Sequence, residues 1–224
     1  MTESLINING ENVQTLEVLF LTTIITLLPS ILVMMTSFTR YIISFSFLRT
    51  ALGTQQTPPN IVLIGIALFL TLFTMNPVLN QIKTEAYDPY VSEEISQEEF
   101  LDRAEVPLKD FMLRNTKTST LQMFCDLADI KLPDQVSVQT LRNALPLRVI
   151  VPAFMTCELQ RAFEIGFLLF LPFMLIDIVV SCTLMSMGMI MLPPSMISMP
   201  FKLLLFVTLN GWELLFSSLV LGFH

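Results

Sequence analysis

The sequence predicts an all-α integral-membrane protein, built from broken helical hairpins that pack in a multi-subunit ring, with one helical polar insertion. Of its 224 residues, 53% are hydrophobic and only 14% are charged, whereas soluble domains average about 25% charged residues. Most of the acidic residues also fall within residues 85–134, and long apolar runs flank that stretch. The remaining charged side chains are too few to cover a soluble globule of this size.

Residues 1–15 form a polar, acidic N-terminus that lacks the basic start and short apolar core of a secretory signal. The first apolar helical region then covers residues 16–79. Its first run, residues 16–38, is long enough to cross a bilayer as a helix, since about 20 apolar residues suffice. Pro29 lies in the middle of this run and is expected to kink it.

A second apolar stretch, residues 41–52, lies between Arg40 and Arg49. Basic residues in short loops favour the cytoplasmic side of a membrane. We therefore expect the loop that carries these two arginines to be cytoplasmic and the acidic insertion to be periplasmic. The net charge of −7 lies largely in that insertion and argues against a nucleic-acid partner.

The polar insertion covers residues 80–146 and follows an apolar helix over residues 61–75, which is expected to end near Pro77. Within the insertion, residues 92–104 are typical of an amphipathic helix, with the inward-facing residues Ile95, Phe100 and Leu101. Residues 107–128 predict a second helix or helix pair, because apolar residues recur there at helical spacing.

Phe111 and Phe124 lie on the apolar stripe of that second helix. Large aromatic side chains on such a stripe need cover. We expect them to dock neighbouring copies of the chain; the alternative is that they close a small core within the insertion.

The second apolar helical region covers residues 147–224 and includes a turn at residues 188–194. Its first part contains several prolines and glycines and is expected to be interrupted, until Pro193 and Pro194 stop it. The last helix is expected to start at Pro200, since proline suits the first helical position.

Charged side chains lie inside or beside these apolar segments, where each costs about 2.5–3.5 kcal/mol at a bilayer centre. They must pair, line water or lie outside the lipid. Glu158 is expected to pair with Arg161 or Lys117, and Lys202 with Asp177 or Glu213. At i,i+3, Glu158 and Arg161 are more simply a helix-surface ion pair than an acid–base pair, and the alternative for Lys202 is a side chain that reaches the membrane interface.

Methionine recurs at every second position around Gly188. Because Gly188 and the two following prolines disfavour a regular helix, we predict an extended or broken turn. Several copies around an axis would then present a ring of flexible thioether side chains that blocks ions and yields to a passing polypeptide. The alternative is ordinary packing on a buried helix. The predicted gate residues are Met185, Met187, Met189, Ile190 and Met191.

The residue inventory argues against an enzyme. The only histidine is His224, and the three cysteines form no CxxC pair, so a metal site or a histidine-based triad has few candidate residues. Neither a phosphate-binding glycine loop nor a nucleophile–base pair is present. We predict no cofactor, and we expect the cysteines to be free thiols.

Four sequence blocks resemble the FliP family. They are PAFMTCELQRAFEIGF (residues 152–167), PFMLIDIVVSCTLMSMGMIMLPP (172–194), MMTSFTR (34–40) and LRTALGTQQTPPN (48–60). The resemblance covers nearly the whole chain and is weakest at the N-terminus and in the acidic insertion.

The resemblance implies a core subunit of the flagellar type III export gate, in the inner membrane at the flagellar basal body. It also implies a pentamer that assembles with FliQ, FliR and other export-apparatus membrane proteins, and that passes unfolded rod, hook and filament subunits. An injectisome export gate is the alternative, although Thr54 and Thr57 resemble the flagellar form. A small-solute transporter is the alternative of another class, since charges within the membrane suit ion pathways.

Overall fold

The computed structural model describes residues 6–8, 11–13, 15–133 and 137–223. Two short antiparallel strands, β1 (Ile6–Ile8) and β2 (Glu11–Val13), stand at the start. The remaining secondary structure in the described ranges is helical. The predicted helical fold class is confirmed.

The first two helices form one bent unit. Helix α1 (Thr15–Met35) passes through Pro29, and α2 (Phe38–Leu52) leaves its last part at 65°. Threonine hydroxyls stabilise the break, because Thr36 and Thr39 donate hydrogen bonds to backbone carbonyls of α1. Arg40 and Arg49 both lie within α2, so the prediction that a loop carries the two arginines is wrong.

Helix α3 (Asn60–Ile82) continues through Pro77 into a π-helical segment, Lys83–Tyr87, and α4 (Asp88–Val91). Together they form one 32-residue helix, so the expected end near Pro77 is wrong. A proline removes one backbone hydrogen bond, but the neighbouring Met75 and Val78 are buried in the core. Their packing holds the helix on both sides of the proline.

The insertion contains α5 (Gln97–Arg114), α6 (Thr118–Leu127) and α7 (Val138–Ala144). The Ser96 hydroxyl caps α5 by accepting a hydrogen bond from the Glu99 amide at 3.3 Å, an arrangement that fixes a helix start. The helix therefore begins later than predicted, and it continues through Pro107 instead of restarting there. Leu101 is exposed rather than inward-facing.

Helix α8 (Leu147–Ser186) is continuous over 40 residues despite Pro152, Gly166 and Pro172. The predicted interruptions within it are therefore wrong. Its length is about 60 Å at 1.5 Å per residue, twice the roughly 30 Å of a bilayer's hydrocarbon core. Gly166 lets α2 approach closely, since a Cβ at this position would lie 2.5 Å from the Phe47 ring.

The chain ends in a second bent unit, in which α9 (Pro194–Thr208) and α10 (Gly211–Leu221) meet at 64°. Asn210 occupies the left-handed region at the bend, with φ of 51°. Pro194 begins α9, a favoured position for proline, and Pro200 lies inside the helix. The predictions that the double proline ends the preceding helix and that Pro200 starts the last one are wrong.

The described helices include two that are long and apolar enough to cross a membrane, or up to four spans if each bent pair is one. Two hydrophobic cores hold them together. One joins the insertion to the first part of α8, and the other joins α2, α3, the later part of α8 and the last bent pair. Only 17% of the most apolar 18-residue stretch of α8 is buried within the chain, so most of this surface needs cover from lipid or other proteins.

The two ends of the helical bundle have different neighbours. At one end, the residues after α2 and the start of α9 surround a cavity of about 640 Å³, which Arg49, Gly53 and Ser195 help to line. At the other end, Gly222 and Phe223 border a cavity of about 510 Å³ beside α5. The methionine turn, residues 187–193 between α8 and α9, therefore lies at one end and the insertion packs on the other.

Candidate functional site

A buried ion pair joins α2 to α8. The Arg40 Nε atom donates to Glu158 Oε2 at 2.7 Å, and its Nη2 atom donates to Glu158 Oε1 at 2.5 Å. The side chains are 2% and 0% exposed. This two-point geometry is the strongest form of arginine–carboxylate contact.

The same guanidinium also holds the end of the chain. Its Nη1 atom donates to the Gly222 carbonyl at 3.0 Å, and its central carbon lies 3.4 Å from the centroid of the Phe223 ring, within cation–π range. Arg40 stands in the first turn of α2, where the helix dipole disfavours a cation. The carboxylate, carbonyl and ring therefore compensate a charge that both burial and the helix oppose.

Arg161 is only a secondary partner of Glu158. Its Nη1 atom lies 3.6 Å from Glu158 Oε1 and 3.5 Å from the Asn115 side-chain oxygen. Lys117 does not supply the predicted ion pair within the described residues; its backbone amide instead donates to the Cys157 sulfur at 3.3 Å. The sequence prediction missed Arg40, because it placed that residue in a loop.

A second ion pair joins α8 to α9. Lys202 Nζ donates to Asp177 Oδ2 at 2.7 Å and to the Ala51 carbonyl at 3.1 Å. Ser198 donates to Asp177 Oδ1 at 2.6 Å. Of the two acidic partners left open by the sequence, the structure pairs Lys202 with Asp177, while Glu213 is exposed on α10. The contact with Ala51 also ties α9 to the end of α2.

Asp177→Asn is expected to lower the thermal stability of the detergent-solubilised protein more than Lys202→Met does. The Lys202 side chain is 7% exposed and that of Asp177 is 41% exposed, so losing the acid strands the more deeply buried charge. A stranded buried polar group costs about 1–3 kcal/mol, and more when it is charged. The unfolding temperatures of the two single variants measure this difference, and equal or reversed losses would contradict it.

The predicted gate residues lie where α8 ends, and the predicted broken turn is present. Gly188 has φ of 75°, its amide donates to the Met185 carbonyl, and the Met189 amide donates to the Leu184 carbonyl. This pair of bonds is a Schellman motif, which ends a helix at glycine. Met185 belongs to the last turn of α8, so the four methionines do not form one extended, one-sided row.

All of these side chains project from the folded chain. Met191 is 99% exposed, and the remaining residues from Met185 to Leu192 are exposed as well. Met187 further borders an apolar groove of about 630 Å³ between α8 and α9. The alternative interpretation, packing on a buried helix within the chain, does not fit this exposure.

The two predicted docking phenylalanines differ in their surroundings. Phe111 is buried, with its ring centroid 5.8 Å from that of Phe154 and 5.9 Å from that of Phe223. Phe111 is therefore covered by residues of its own chain, one in α8 and one after α10. Phe124 is half-buried, and Met123 and Leu127 beside it are exposed.

Metal and thiol chemistry have little support in the described residues. They contain no group of three or more histidine, cysteine, aspartate or glutamate side chains placed to hold a metal ion. The three cysteines are free, and Cys125 and Cys157 are buried. Burial raises the pKa of the Cys125 thiol, and the adjacent Asp126 carboxylate adds to this rise, so the thiol stays protonated and unreactive.

Comparison with known proteins gives consistent matches along the chain. The FliP family profile matches residues 21–219. The flagellar biosynthetic protein FliP of Aquifex aeolicus is 50% identical over 215 residues, which cover 96% of this chain and 88% of that protein. The Pectobacterium carotovorum protein of the same name is 50% identical over 96% of this chain and 82% of its own length. The Bacillus subtilis protein of the same name is 48% identical over 95% of this chain and 94% of its own length.

Proposed function

Because this chain belongs to the FliP family, we propose that several copies of it form the wall of a protein-export channel whose constriction is the turn at residues 187–193. The family places the chain in the flagellar type III export apparatus, in the inner membrane at the basal body, as an export component and not an enzyme. The matched relatives described above are flagellar, which favours flagellar over injectisome export.

The observation that carries the proposal is the exposed turn at the end of α8. A single chain leaves Met187, Ile190 and Met191 projecting from the turn that follows a helix long enough to cross a membrane. Isolated exposed apolar residues are common, but a continuous apolar tip needs a partner. Related copies around an axis supply that partner, since their tips meet one another and close the path.

The uncovered apolar surface of α8 supports assembly into a ring. Most of its most apolar 18-residue stretch faces outward in the single chain, and the groove between α8 and α9 is lined almost wholly by apolar side chains. We propose a pentamer whose remaining apolar surface is covered by FliQ, FliR, other export-apparatus membrane proteins and membrane lipid. The exposed side of α6, with Phe124 at its edge, is the proposed contact between copies in the insertion.

The proposed topology places the insertion, residues 80–146, in the periplasm. Arg40 is buried and is not a loop charge, so Arg49 is the basic residue that favours the cytoplasmic side for the end of α2. If each bent pair is one span, the loop after α2 and the methionine turn lie on the same side. This arrangement agrees with the cavity at that end, which is lined by both the loop after α2 and the start of α9. The apolar regions at residues 16–79 and 147–224 then form the channel wall.

Extraction in mild detergent followed by native mass measurement tests the proposal. A channel-wall subunit is expected to appear as a ring of several copies together with smaller membrane partners, and unfolded export substrates should cross-link to Met187 or Met191. A small-solute transporter would instead purify alone and would not cross-link to a translocating polypeptide. Cross-linking from Leu127 in the insertion is the matched control for non-specific contact.

A further inference from the structure

Met191 and Met187, both in the turn, are the two most exposed methionines of the residues that the structure describes, and Met196 on α9 follows at 67%. Met191 is 99% exposed and Met187 is 71% exposed, whereas Met112 is 0% exposed. Exposed thioethers are oxidised to sulfoxides, which turns a flexible apolar side chain into a polar one. We propose that Met187, Met189 and Met191 form an oxidation site through which hypochlorous acid or hydrogen peroxide opens the resting gate to ions; this inference rests on the proposed channel function.

The chemistry is a two-electron oxygen transfer. A thioether sulfur attacks the chlorine of hypochlorous acid, and water then replaces the chloride on sulfur, so that the sulfoxide, chloride and a proton are the products. With hydrogen peroxide, one oxygen atom moves to sulfur and water leaves. Sulfur is oxidised in both cases, and chlorine or peroxide oxygen is reduced. A thiol-dependent methionine sulfoxide reductase reverses the change.

The location of the turn explains why the product would matter. A ring of thioethers closes the path because the side chains are apolar and pack against one another, while the side of the ring that faces the open end of the channel stays in contact with water. A sulfoxide oxygen accepts strong hydrogen bonds and carries water into the constriction. Met187 also borders the apolar groove with Leu184 and Ile197, so its oxidation places a polar group at the base of the turn as well.

Other sulfur atoms of the chain provide internal references. Met75 and Met112 are buried in the core, so their oxidation reports unfolding. Met174 is 49% exposed on the apolar span of α8, and lipid or another subunit would shield it from a water-soluble oxidant. Cys182 is an exposed thiol near the turn and must be removed, because thiols react with the same oxidants.

The experiment uses the assembled complex in membranes, with Cys182→Ser in every sample. Hypochlorous acid is added in steps, peptide mass measurement gives the sulfoxide fraction at each methionine, and ion conductance is recorded in parallel. We expect Met187 and Met191 to oxidise first, conductance to rise several-fold with them, and sulfoxide reductase to restore the tight state. The Met187→Leu/Met189→Leu/Met191→Leu variant should lose the oxidant-dependent rise. Met123→Leu, which removes an exposed methionine of the insertion, should retain it.

Two results would overturn the inference. Oxidation of Met174 before the turn, while Met112 stays unoxidised, would show that the turn is not the accessible site. Complete sulfoxide formation at Met187 and Met191 without a rise in conductance would show that the modification does not act on the gate. In the second case, the variant with glycine at residues 189–191 separates the two proposals. If that variant conducts ions at rest, the proposed channel stands and only the oxidation site is wrong. If it stays tight to ions, both the channel and its oxidation are contradicted.

Discussion

Glu158→Ala is expected to abolish assembly of the export complex or to reduce it severely. The substitution leaves the Arg40 guanidinium buried in the first turn of α2 without its carboxylate. Breaking a buried ion pair by removing one member costs about 3–5 kcal/mol, a large share of the roughly 5–15 kcal/mol that stabilises a typical protein. The loss also frees the end of the chain, since Arg40 holds Gly222 and Phe223 through the same guanidinium.

Glu164→Ala is the matched control for this prediction. Glu164 lies on the same helix but is exposed, and its contact is with Gln160 one turn away. Its replacement should leave assembly and motility close to the parent level. Replacing both partners, as in Arg40→Leu/Glu158→Leu, should recover part of the loss, because an apolar pair strands no charge. Equal defects in Glu158→Ala and Glu164→Ala, measured by native electrophoresis and swimming assays, would refute the role of the pair.

The helical class and the approximate locations of the helices follow from composition and local pattern, whereas several boundaries do not. Proline was the main source of error, since Pro77, Pro107 and Pro172 all lie inside helices. A sequence reveals the hydrogen bond that proline removes, but it does not reveal the packing on either side that keeps the helix intact. The bend between α1 and α2 depends in turn on threonine hydroxyls, whose bonding partners only the fold determines.

The site was predictable to the extent that its signals were local. Gly188 and the double proline correctly predicted a broken turn at the methionines. Charge inside an apolar run correctly indicated that Glu158 and Lys202 need partners. Arg40 was missed because it is 118 residues from Glu158 in the chain and no local pattern joins the two. Asp177, only 25 residues from Lys202, was within reach of the same reasoning.

Replacing Met189, Ile190 and Met191 with glycine is expected to leave the complex assembled but permeable to small ions at rest. Ile190 and Met191 are 83% and 99% exposed and Met189 is 40% exposed, so their loss should cost the fold little. The Schellman bonds that end α8 use backbone atoms and survive the change. The apolar ring would disappear, because glycine contributes no side chain that could exclude water.

Met189→Leu/Met191→Leu distinguishes loss of the ring from disturbance of the turn. Leucine keeps most of the apolar volume at each position, so this variant should remain tight to ions. Its branched side chain is less adaptable than methionine, and we expect slower export through it than through the parent channel. Secretion of hook and filament proteins into the medium gives the rate.

Ion conductance across membranes that carry the assembled glycine variant tests the channel proposal most directly. The proposal predicts a resting conductance well above that of both the parent and the leucine variant, at equal amounts of assembled complex. A glycine variant that assembles normally yet stays as tight as the parent would contradict it, and would show that the turn at residues 187–193 is not the constriction of the channel.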